Sequence, residues 1–167
     1  MPAFELYLIR HGVAEARGDA WPDDSKRPLS DEGVSRMRKA TRGLDELGVT
    51  FDVVLSSPLV RTRQTAEIIA AAFDARPPIV MTESLAPGAG YQSVLDELEK
   101  QSRRERIALV GHETGIGELA ARIAGSRNPF PFKKGAVCLV DVETLPPGGP
   151  GTLRWFLPPR ILRSICR

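Results

Sequence analysis

Two histidines, His11 and His112, stand at equivalent places in the sequence. Each comes two residues after an apolar segment that predicts a buried strand, residues 4–9 for the first and residues 107–110 for the second. In open α/β sheets, ligands bind beyond the carboxyl ends of the strands. We therefore expect both imidazoles at one ligand-binding edge of a sheet, where a neutral imidazole is available as a nucleophile near pH 7.

Two arginines are expected at the same edge. Arg10 precedes the first histidine, and Arg61 falls in the first turn of a predicted helix. Helix N-termini attract anions through free backbone N–H groups, and guanidinium groups form paired hydrogen bonds with phosphate oxygens. Gly12 and Gly111 leave space for close backbone approach. The pattern predicts a pocket for a dianionic group such as phosphate.

Two simpler interpretations of the histidines remain open at this point. A histidine beside a strand is often a structural residue with satisfied hydrogen bonds. A zinc site is the other interpretation, but zinc takes three or four ligands, and this chain has two histidines with neither cysteine near them. Neighbouring arginines would also repel a cation. We favour the anion pocket, and we expect no metal and no cofactor.

The segment 115–120, Gly-Ile-Gly-Glu-Leu-Ala, fits the G-x-G-x-x-A pattern of a dinucleotide-binding turn. The pattern comes late in the chain, and little sequence follows it for the second half of such a fold. Its glycines are better explained by close packing of a helix against its neighbours. We therefore do not expect a dinucleotide site there.

Strands and helices are predicted to alternate along the chain. Apolar runs predict strands at residues 4–9, 51–55, 79–81, 107–110, 135–142 and 153–157. Amphipathic stretches predict helices at residues 31–47, 58–73, 91–103 and 115–124. Ser30 and Ser57 are the expected N-caps of the first two helices. The alternation predicts an α/β three-layer sandwich with a mainly parallel central sheet, in which the last two strands form an antiparallel edge.

The polar segment 12–29 lies between the first strand and the first helix. A loop of this length inside a compact domain is usually functional or mobile. It carries Arg17, Lys26 and Arg27, which could meet an acidic partner. No linker divides the chain, so we expect residues 1–167 to form a single domain.

The overall composition argues against several other classes of protein. Among 167 residues, 23 are Lys or Arg and 21 are Asp or Glu, a balance too even for a nucleic-acid-binding protein. The longest apolar stretch, residues 68–73, is far too short to cross a membrane, and the N-terminus lacks a signal-peptide pattern. Cys138 and Cys166 are not spaced as a disulfide framework, which favours a reducing compartment. We expect a soluble, cytoplasmic protein with no nucleic-acid or membrane partner.

Four segments of the chain resemble the motifs of one enzyme family in their order and spacing. They are residues 10–12 (RHG), 27–33 (RPLSDEG), 56–66 (SSPLVRTRQTA) and 110–112 (VGH). Together they resemble the histidine phosphatase superfamily, which includes cofactor-dependent phosphoglycerate mutases and many phosphatases. The short length and the segments at 21–24, 133–136 and 153–155 look most like the SixA-type phosphohistidine phosphatases. The resemblance covers nearly the whole chain and implies a phosphoglycerate mutase-like fold.

The resemblance also implies a role for each candidate residue. His11 would attack phosphorus and carry the phosphoryl group as a phosphohistidine. Arg10, Arg61 and His112 would hold the phosphoryl oxygens, with Gly12 beside them, so phosphate or sulfate would also fit the site. We expect His112 to be protonated, because the transition state of phosphoryl transfer carries charge on its equatorial oxygens. The ring nitrogen of His11 that does not attack must donate to a fixed acceptor, which the sequence does not identify.

Residues 82–88 depart from the pattern of many phosphatases of the superfamily, which place a glutamate there as general acid and base. Ser84 aligns with that position, and the adjacent Glu83 is the candidate proton donor. An alkoxide leaving group needs such a donor, whereas an imidazole can leave after protonation of its other nitrogen. We therefore expect phosphohistidine in a protein as the substrate. A small phosphate ester is the alternative substrate, and a non-catalytic phosphate-binding module is the alternative class of protein.

Overall fold

The structure is a computed structural model that describes residues 3–165 and contains one six-stranded sheet. Cys166 lies outside these residues. The strands are β1 (Phe4–Arg10), β2 (Val53–Ser56), β3 (Ile79–Met81), β4 (Arg106–Gly111), β5 (Val137–Val142) and β6 (Thr152–Leu157). The helices are α1 (Asp31–Glu46), α2 (Val60–Ala72), α3 (Tyr91–Lys100), α4 (Gly115–Ala124) and α5 (Pro159–Ile165).

The strand order in the sheet is β3-β2-β4-β1-β5-β6. The pairs β3–β2, β2–β4 and β4–β1 are parallel, whereas β5 runs antiparallel to β1 and β6 runs antiparallel to β5. The predicted mainly parallel sheet with an antiparallel edge is therefore confirmed. Because β1 and β4 are parallel neighbours, their carboxyl ends lie side by side.

Alternate residues of each strand face opposite layers of helices, as the pleat of a strand requires. Leu6 and Leu8 of β1 pack into the core that α3 and α4 cover, whereas Tyr7 and Ile9 face α1, α2 and α5. Helices cover both faces of the sheet, and the predicted three-layer sandwich is confirmed. Cys138 is buried in the first of these cores, and burial raises the pKa of its thiol to about 12.

The first two helices begin in different ways. Ser30 caps α1 as predicted, because its hydroxyl accepts a hydrogen bond from the Gly33 N–H at 3.0 Å. The prediction for α2 is wrong, since this helix begins at Val60 and not at Pro58. Ser57 does not cap α2, because its hydroxyl contacts a side chain of the site described below.

Three short elements have no counterpart in the sequence prediction. They are α5 and two single 3₁₀ turns, Asp24–Lys26 and Glu83–Leu85. Helix α5 packs closely on α1 at Gly43, where a Cβ atom would lie 2.0 Å from the carbonyl oxygen of Leu162. In the part of the chain that the structure describes, no helix combines the length and apolar character needed to span a membrane.

Candidate active site

The register between β1 and β4 brings the two histidines together. Arg10 pairs with Gly111 in the parallel ladder, so the next residues, His11 and His112, leave the sheet side by side. The His11 N–H donates to the Gly111 carbonyl at 3.1 Å, and the two ring centroids lie 5.2 Å apart. Both residues are buried, each with 6% of its surface exposed. Two residues that are 101 positions apart in the chain therefore share one pocket.

A backbone contact orients the His11 ring. Its Nδ1 lies 2.7 Å from the carbonyl oxygen of Gly12. Because a carbonyl oxygen only accepts, Nδ1 must carry the proton, and Nε2 keeps its lone pair. This carbonyl is the fixed acceptor that the sequence required and did not identify. In this tautomer, Nε2 is the atom that can attack phosphorus.

Gly12 serves the nucleophile rather than the substrate. We expected it to contact the substrate, but its N–H donates to Thr65 Oγ1 at 3.1 Å and its carbonyl accepts from His11. The Thr65 hydroxyl in turn donates to the carbonyl of Arg61 at 2.8 Å. Both backbone groups of Gly12 are thus engaged within the protein, and they tie the His11 ring to α2.

His112 uses its ring nitrogens differently. Its Nε2 lies 2.9 Å from Ser57 Oγ, and its Nδ1 is buried with no hydrogen-bond partner among the described residues. Ser57 follows β2, the other parallel neighbour of β4, so it fixes the imidazole from an adjacent strand. The orientation of His112 therefore depends on a side chain, whereas that of His11 depends on the backbone.

Two arginines complete the group. Arg10 donates through Nη1 to the carbonyl of Phe132 at 2.8 Å. Arg61 donates through Nη1 and Nη2 to the backbone carbonyl and the carboxylate of Asp24, at 2.9 and 3.0 Å. The Nε atoms of both arginines are buried and have no partner within residues 3–165. The structure thus brings together four of the predicted site residues, Arg10, His11, Arg61 and His112.

Arg10, Arg61 and His112 form what we call the phosphate cradle. Each has one buried ring or guanidinium nitrogen without a partner among the described residues. Leaving such a nitrogen unsatisfied costs about 1–3 kcal/mol, and more when the group is charged. A phosphoryl group has enough oxygen acceptors to satisfy all three nitrogens. The cradle also lies close enough to His11 for all three groups to lower the pKa of that imidazole electrostatically.

The protein surroundings keep both imidazoles neutral at pH 7. Burial lowers the pKa of His11 to about 3, and the nearby cationic groups lower it further. Burial, followed by the charge of Arg61, lowers the pKa of His112 to about 4. The expectation that His112 is protonated concerns the transition state, with a phosphoryl group in the site, so it stays a prediction. A bound phosphate dianion would oppose the charge of Arg61 and shift the pKa of His112 upward.

The loop 12–29 supplies a carboxylate that sequence reasoning missed. Asp24 accepts from Arg61 and also from Arg27 Nε at 2.9 Å. Hydrogen bonding to Arg27 and the charge of Arg61 hold the pKa of Asp24 below its usual value. Arg27 is itself buried, so it is not free to meet an acidic partner as we expected. The three-residue spacing of Asp24 and Arg27 could have signalled their ion pair, but it does not signal the contact with Arg61.

Glu83, the candidate proton donor, lies on the surface of the protein. Its side chain is exposed at the start of a 3₁₀ turn. Ser84, and not Glu83, lines the cavity of about 500 Å³ that borders His112. The role of Glu83 as proton donor therefore stays a prediction.

Glu113 has a structural role beside His112. Its carboxylate accepts from the backbone N–H groups of Gly117 at 3.2 Å and Phe132 at 3.0 Å. The second contact holds the residue whose carbonyl binds Arg10. Gly117 allows this arrangement, because a Cβ atom there would lie 2.2 Å from the carbonyl oxygen of Phe130. Packing therefore explains Gly117, the second glycine of the pattern at 115–120, whereas a Cβ atom at Gly115 would meet nothing within 4 Å.

The family described as the histidine phosphatase superfamily (branch 1) matches residues 6–86. An uncharacterized protein of Picosynechococcus sp. is 40% identical over 122 residues, which cover 72% of this chain and 73% of that protein. The phosphohistidine phosphatase SixA of Escherichia coli is 27% identical over 157 residues, which cover 93% of this chain and 94% of that enzyme.

A solved structure agrees with the fold over nearly the full length of both chains. The protein histidine phosphatase SixA complexed with tungstate superposes with a TM-score of 0.84 and 24% sequence identity. The match covers 95% of this chain and 99% of that one.

Proposed function

Because the chain belongs to the histidine phosphatase superfamily, we propose that it removes the phosphoryl group from phosphohistidine in a partner protein. The observation that carries this proposal is the protonation pattern of His11. Its Nδ1–H donates to the Gly12 carbonyl, so Nε2 is the nucleophilic nitrogen beside the phosphate cradle. The likeness to the E. coli enzyme over 94% of its length supports the same reaction class.

In the first step, Nε2 of His11 attacks phosphorus, and the bond from phosphorus to the substrate imidazole breaks. The leaving imidazole keeps the electron pair of that bond and is neutral if its other nitrogen was protonated beforehand. Arg10 and Arg61 neutralise the charge that develops on the equatorial oxygens, while His112 donates once it is protonated. The product of this step is a phosphohistidine on His11.

In the second step, water attacks the phosphohistidine and His11 is regenerated. The bond from Nε2 to phosphorus breaks, and inorganic phosphate leaves with the oxygen of the water. The Nδ1–H bond to Gly12 persists through both steps, so the ring keeps one orientation. The same cradle stabilises both transition states, because both place charge on the same oxygens.

Ser84, which lines the cavity beside His112, stands at the position where many related phosphatases carry a glutamate as general acid. The lack of an acid at this position supports phosphohistidine, and not a phosphate ester, as the substrate. Asp24 is the carboxylate bound to the cradle, but its lowered pKa keeps it ionised, so it is a poor proton donor at pH 7. An alcohol leaves poorly without a donor, whereas a protonated imidazole leaves readily. We further propose that the reaction needs no metal ion and takes place in the cytoplasm.

The test is a comparison of substrates with acid and alkali quenching. We expect rapid turnover of a protein phosphorylated on histidine, unaffected by EDTA, and slow turnover of phosphate monoesters. Single turnover with a ³²P-labelled donor should leave a label on His11 that survives alkali and is lost in acid. Rapid hydrolysis of monoesters with no activity on phosphohistidine proteins would favour the small-molecule alternative. Binding of phosphate without any covalent label would show a non-catalytic module.

A further inference from the structure

A groove of about 640 Å³ is lined in part by Arg10 and Gly12, and His112 does not line it. Its walls come from α1, from the turn at residues 133–135 and from the chain around the start of α5. Apolar side chains in its lining are Val13, Met37, Ala40, Pro158, Pro159 and Ile161. Ile161 has 44% of its surface exposed, so the groove presents apolar surface to solvent. We call this surface the basic groove, for the charges described next.

Every charged residue that lines the basic groove is basic. These residues are Arg10, Arg36, Lys133, Lys134, Arg160 and Arg163. Arg36 forms an ion pair with Glu32 on α1. Lys133, Lys134, Arg160 and Arg163 have no carboxylate of the described residues within 4.0 Å. Such a concentration of unpaired cations is notable in a chain whose net charge is +2.

The basic groove is continuous with the active site. Arg10 and Gly12, which hold the phosphate and orient the nucleophile, also line the groove. The N–H of Gly135 donates to the carbonyls of Arg10 at 3.0 Å and His11 at 3.1 Å. The turn that carries Lys133 and Lys134 is therefore bonded directly to the backbone of the nucleophile. A molecule seated in the groove would reach the cradle from one side.

The cavity beside His112 provides a contrast. Its charged lining residues are Glu113, Glu118 and Arg122, and the guanidinium of Arg122 lies 3.8 Å from the centre of the Tyr91 ring. This cavity has mixed charge, and its one arginine already stacks on an aromatic ring. Of these two cavities that border the site, the basic groove is thus the one with unpaired cations over an apolar floor.

We propose that the basic groove docks an acidic, partly apolar segment of the protein that carries the phosphohistidine. This proposal rests on the proposed function, because it names the surface through which that substrate is recognised. An apolar centre with a charged rim is the usual composition of a protein interface. Complementary charges would steer the encounter and fix the orientation in which the phosphohistidine enters the cradle. A nucleic acid fits less well, since its backbone offers charge but little apolar surface for the floor.

The groove is preformed for such a segment. Helix α5 is seated on α1 at Gly43, whose missing side chain allows contact with the Leu162 backbone. Leu162 is fully buried between the two helices and the sheet. A docking surface that is already ordered loses little conformational entropy on binding.

The experiment uses the full chain and a phosphohistidine-bearing domain whose surface beside the phosphohistidine is rich in Asp and Glu. The groove variant combines Lys134→Glu with Arg160→Glu. The control variant combines Arg103→Glu with Arg127→Glu, which changes the net charge equally at exposed residues that line neither cavity. We expect the groove variant to raise KM for the phosphodomain by about tenfold or more. The control variant should change it less than twofold, and turnover of phosphoramidate should stay within twofold for both.

Charge complementation gives a second measurement. When the Asp and Glu residues of the phosphodomain are changed to Asn and Gln, KM with the wild-type enzyme should rise, and the groove variant should add little further loss. Equal effects of the groove and control variants would overturn the proposal in favour of a general field effect. An unchanged KM in the groove variant would overturn it directly. So would groove-dependent binding of labelled polyphosphate or single-stranded DNA with an unchanged KM for the phosphodomain.

A binding assay separates this proposal from the proposed function. The His11→Ala variant is titrated with the unphosphorylated acidic domain, labelled with fluorescein, and anisotropy is recorded. Binding that the groove substitutions abolish would support docking even if the wild-type enzyme failed to dephosphorylate the domain. Turnover of the phosphodomain without any groove-dependent binding or KM effect would leave the proposed function intact and refute the docking surface.

Discussion

The segments 10–12 and 111–113 occupy the same place on two neighbouring parallel strands, yet their histidines are held in opposite ways. His11 is fixed through Nδ1 by a backbone carbonyl, and its Nε2 is free. His112 is fixed through Nε2 by the hydroxyl of Ser57, and its Nδ1 is unpaired. A carbonyl dictates the tautomer, whereas a hydroxyl can donate or accept. The comparison indicates that His11 is suited to attack and His112 to changing its protonation.

The surroundings of the two segments also suit His11 to a fixed orientation and His112 to a change of protonation. The Gly12 N–H is anchored by Thr65 on α2, so the backbone after His11 is held on both sides of the peptide. Burial and then the charge of Arg61 lower the pKa of His112, whereas the charge of Asp24 raises it. His112 therefore lies in a field whose balance a bound phosphate can alter. Opposing charges therefore act on the pKa of His112, whereas hydrogen bonds fix the orientation of the His11 ring.

We expect the greatest loss of activity when one of the two histidines is replaced by alanine, and the two variants should fail in different ways. His11→Ala should abolish both the covalent label and turnover, because no other nitrogen is presented to phosphorus. His112→Ala should keep the label on His11 while its rate of formation falls about 100- to 1,000-fold, as for the loss of one transition-state donor. Single-turnover labelling with acid and alkali quenching measures both. A label that survives in His11→Ala and disappears in His112→Ala would reverse the assignment.

Arg61 serves both segments, since its guanidinium belongs to the cradle and its carbonyl supports Thr65. Arg61→Ala keeps the carbonyl and removes the guanidinium. We expect kcat/KM to fall about 100-fold or more, with little change in circular dichroism, because Asp24 is partly exposed and can be solvated. Arg63→Ala is the matched control on the same helix, where Arg63 is exposed and pairs with Glu67. A similar loss in both variants would point to damage of α2 instead.

A smaller effect is expected at the residue that distinguishes the two histidines. Ser57→Ala removes the hydrogen bond to His112 Nε2 and leaves the contacts of His11 unchanged. Because a single hydrogen bond contributes about 0.5–1.5 kcal/mol, kcat should fall about three- to tenfold. The alkali-stable label should form to the same final extent, only more slowly. A reduced final extent of labelling would show that Ser57 also acts on the nucleophile.

The smallest expected effect is a change in protonation. The lowered pKa values mean that both imidazoles stay neutral as the pH falls from 7 to 5, whereas an exposed histidine would protonate near pH 6.5. The chain has two histidines, so ¹⁵N NMR of the imidazoles resolves them directly. Added phosphate should raise the pKa of His112 more than that of His11. If either imidazole titrated near pH 6.5 without phosphate, the conclusion that burial lowers its pKa would be wrong.

Residues that lie close together in the sequence, or that follow a strand end, could be predicted. The strand-to-loop junctions at His11 and His112 placed both at one edge because the carboxyl ends of parallel strands meet there. Contacts between distant side chains could not be predicted in this way. Ser57 was interpreted as a helix cap, and its actual partner is 55 positions away. Asp24 reaches Arg61 across 37 positions, and no local pattern signals that contact.

The alternation of strands and helices, and the placement of the imidazoles and guanidinium groups at one edge of the sheet, could be read from the sequence alone. These features follow from local periodicity and from the few residue types that bind phosphate. Three features depend on the folded arrangement: the free ring nitrogen of His11, the orientation of that ring by Gly12, and the exposure of Glu83. Hydrogen-bond direction, burial and pKa depend on groups brought together from separate elements. A one-dimensional pattern does not specify those distances.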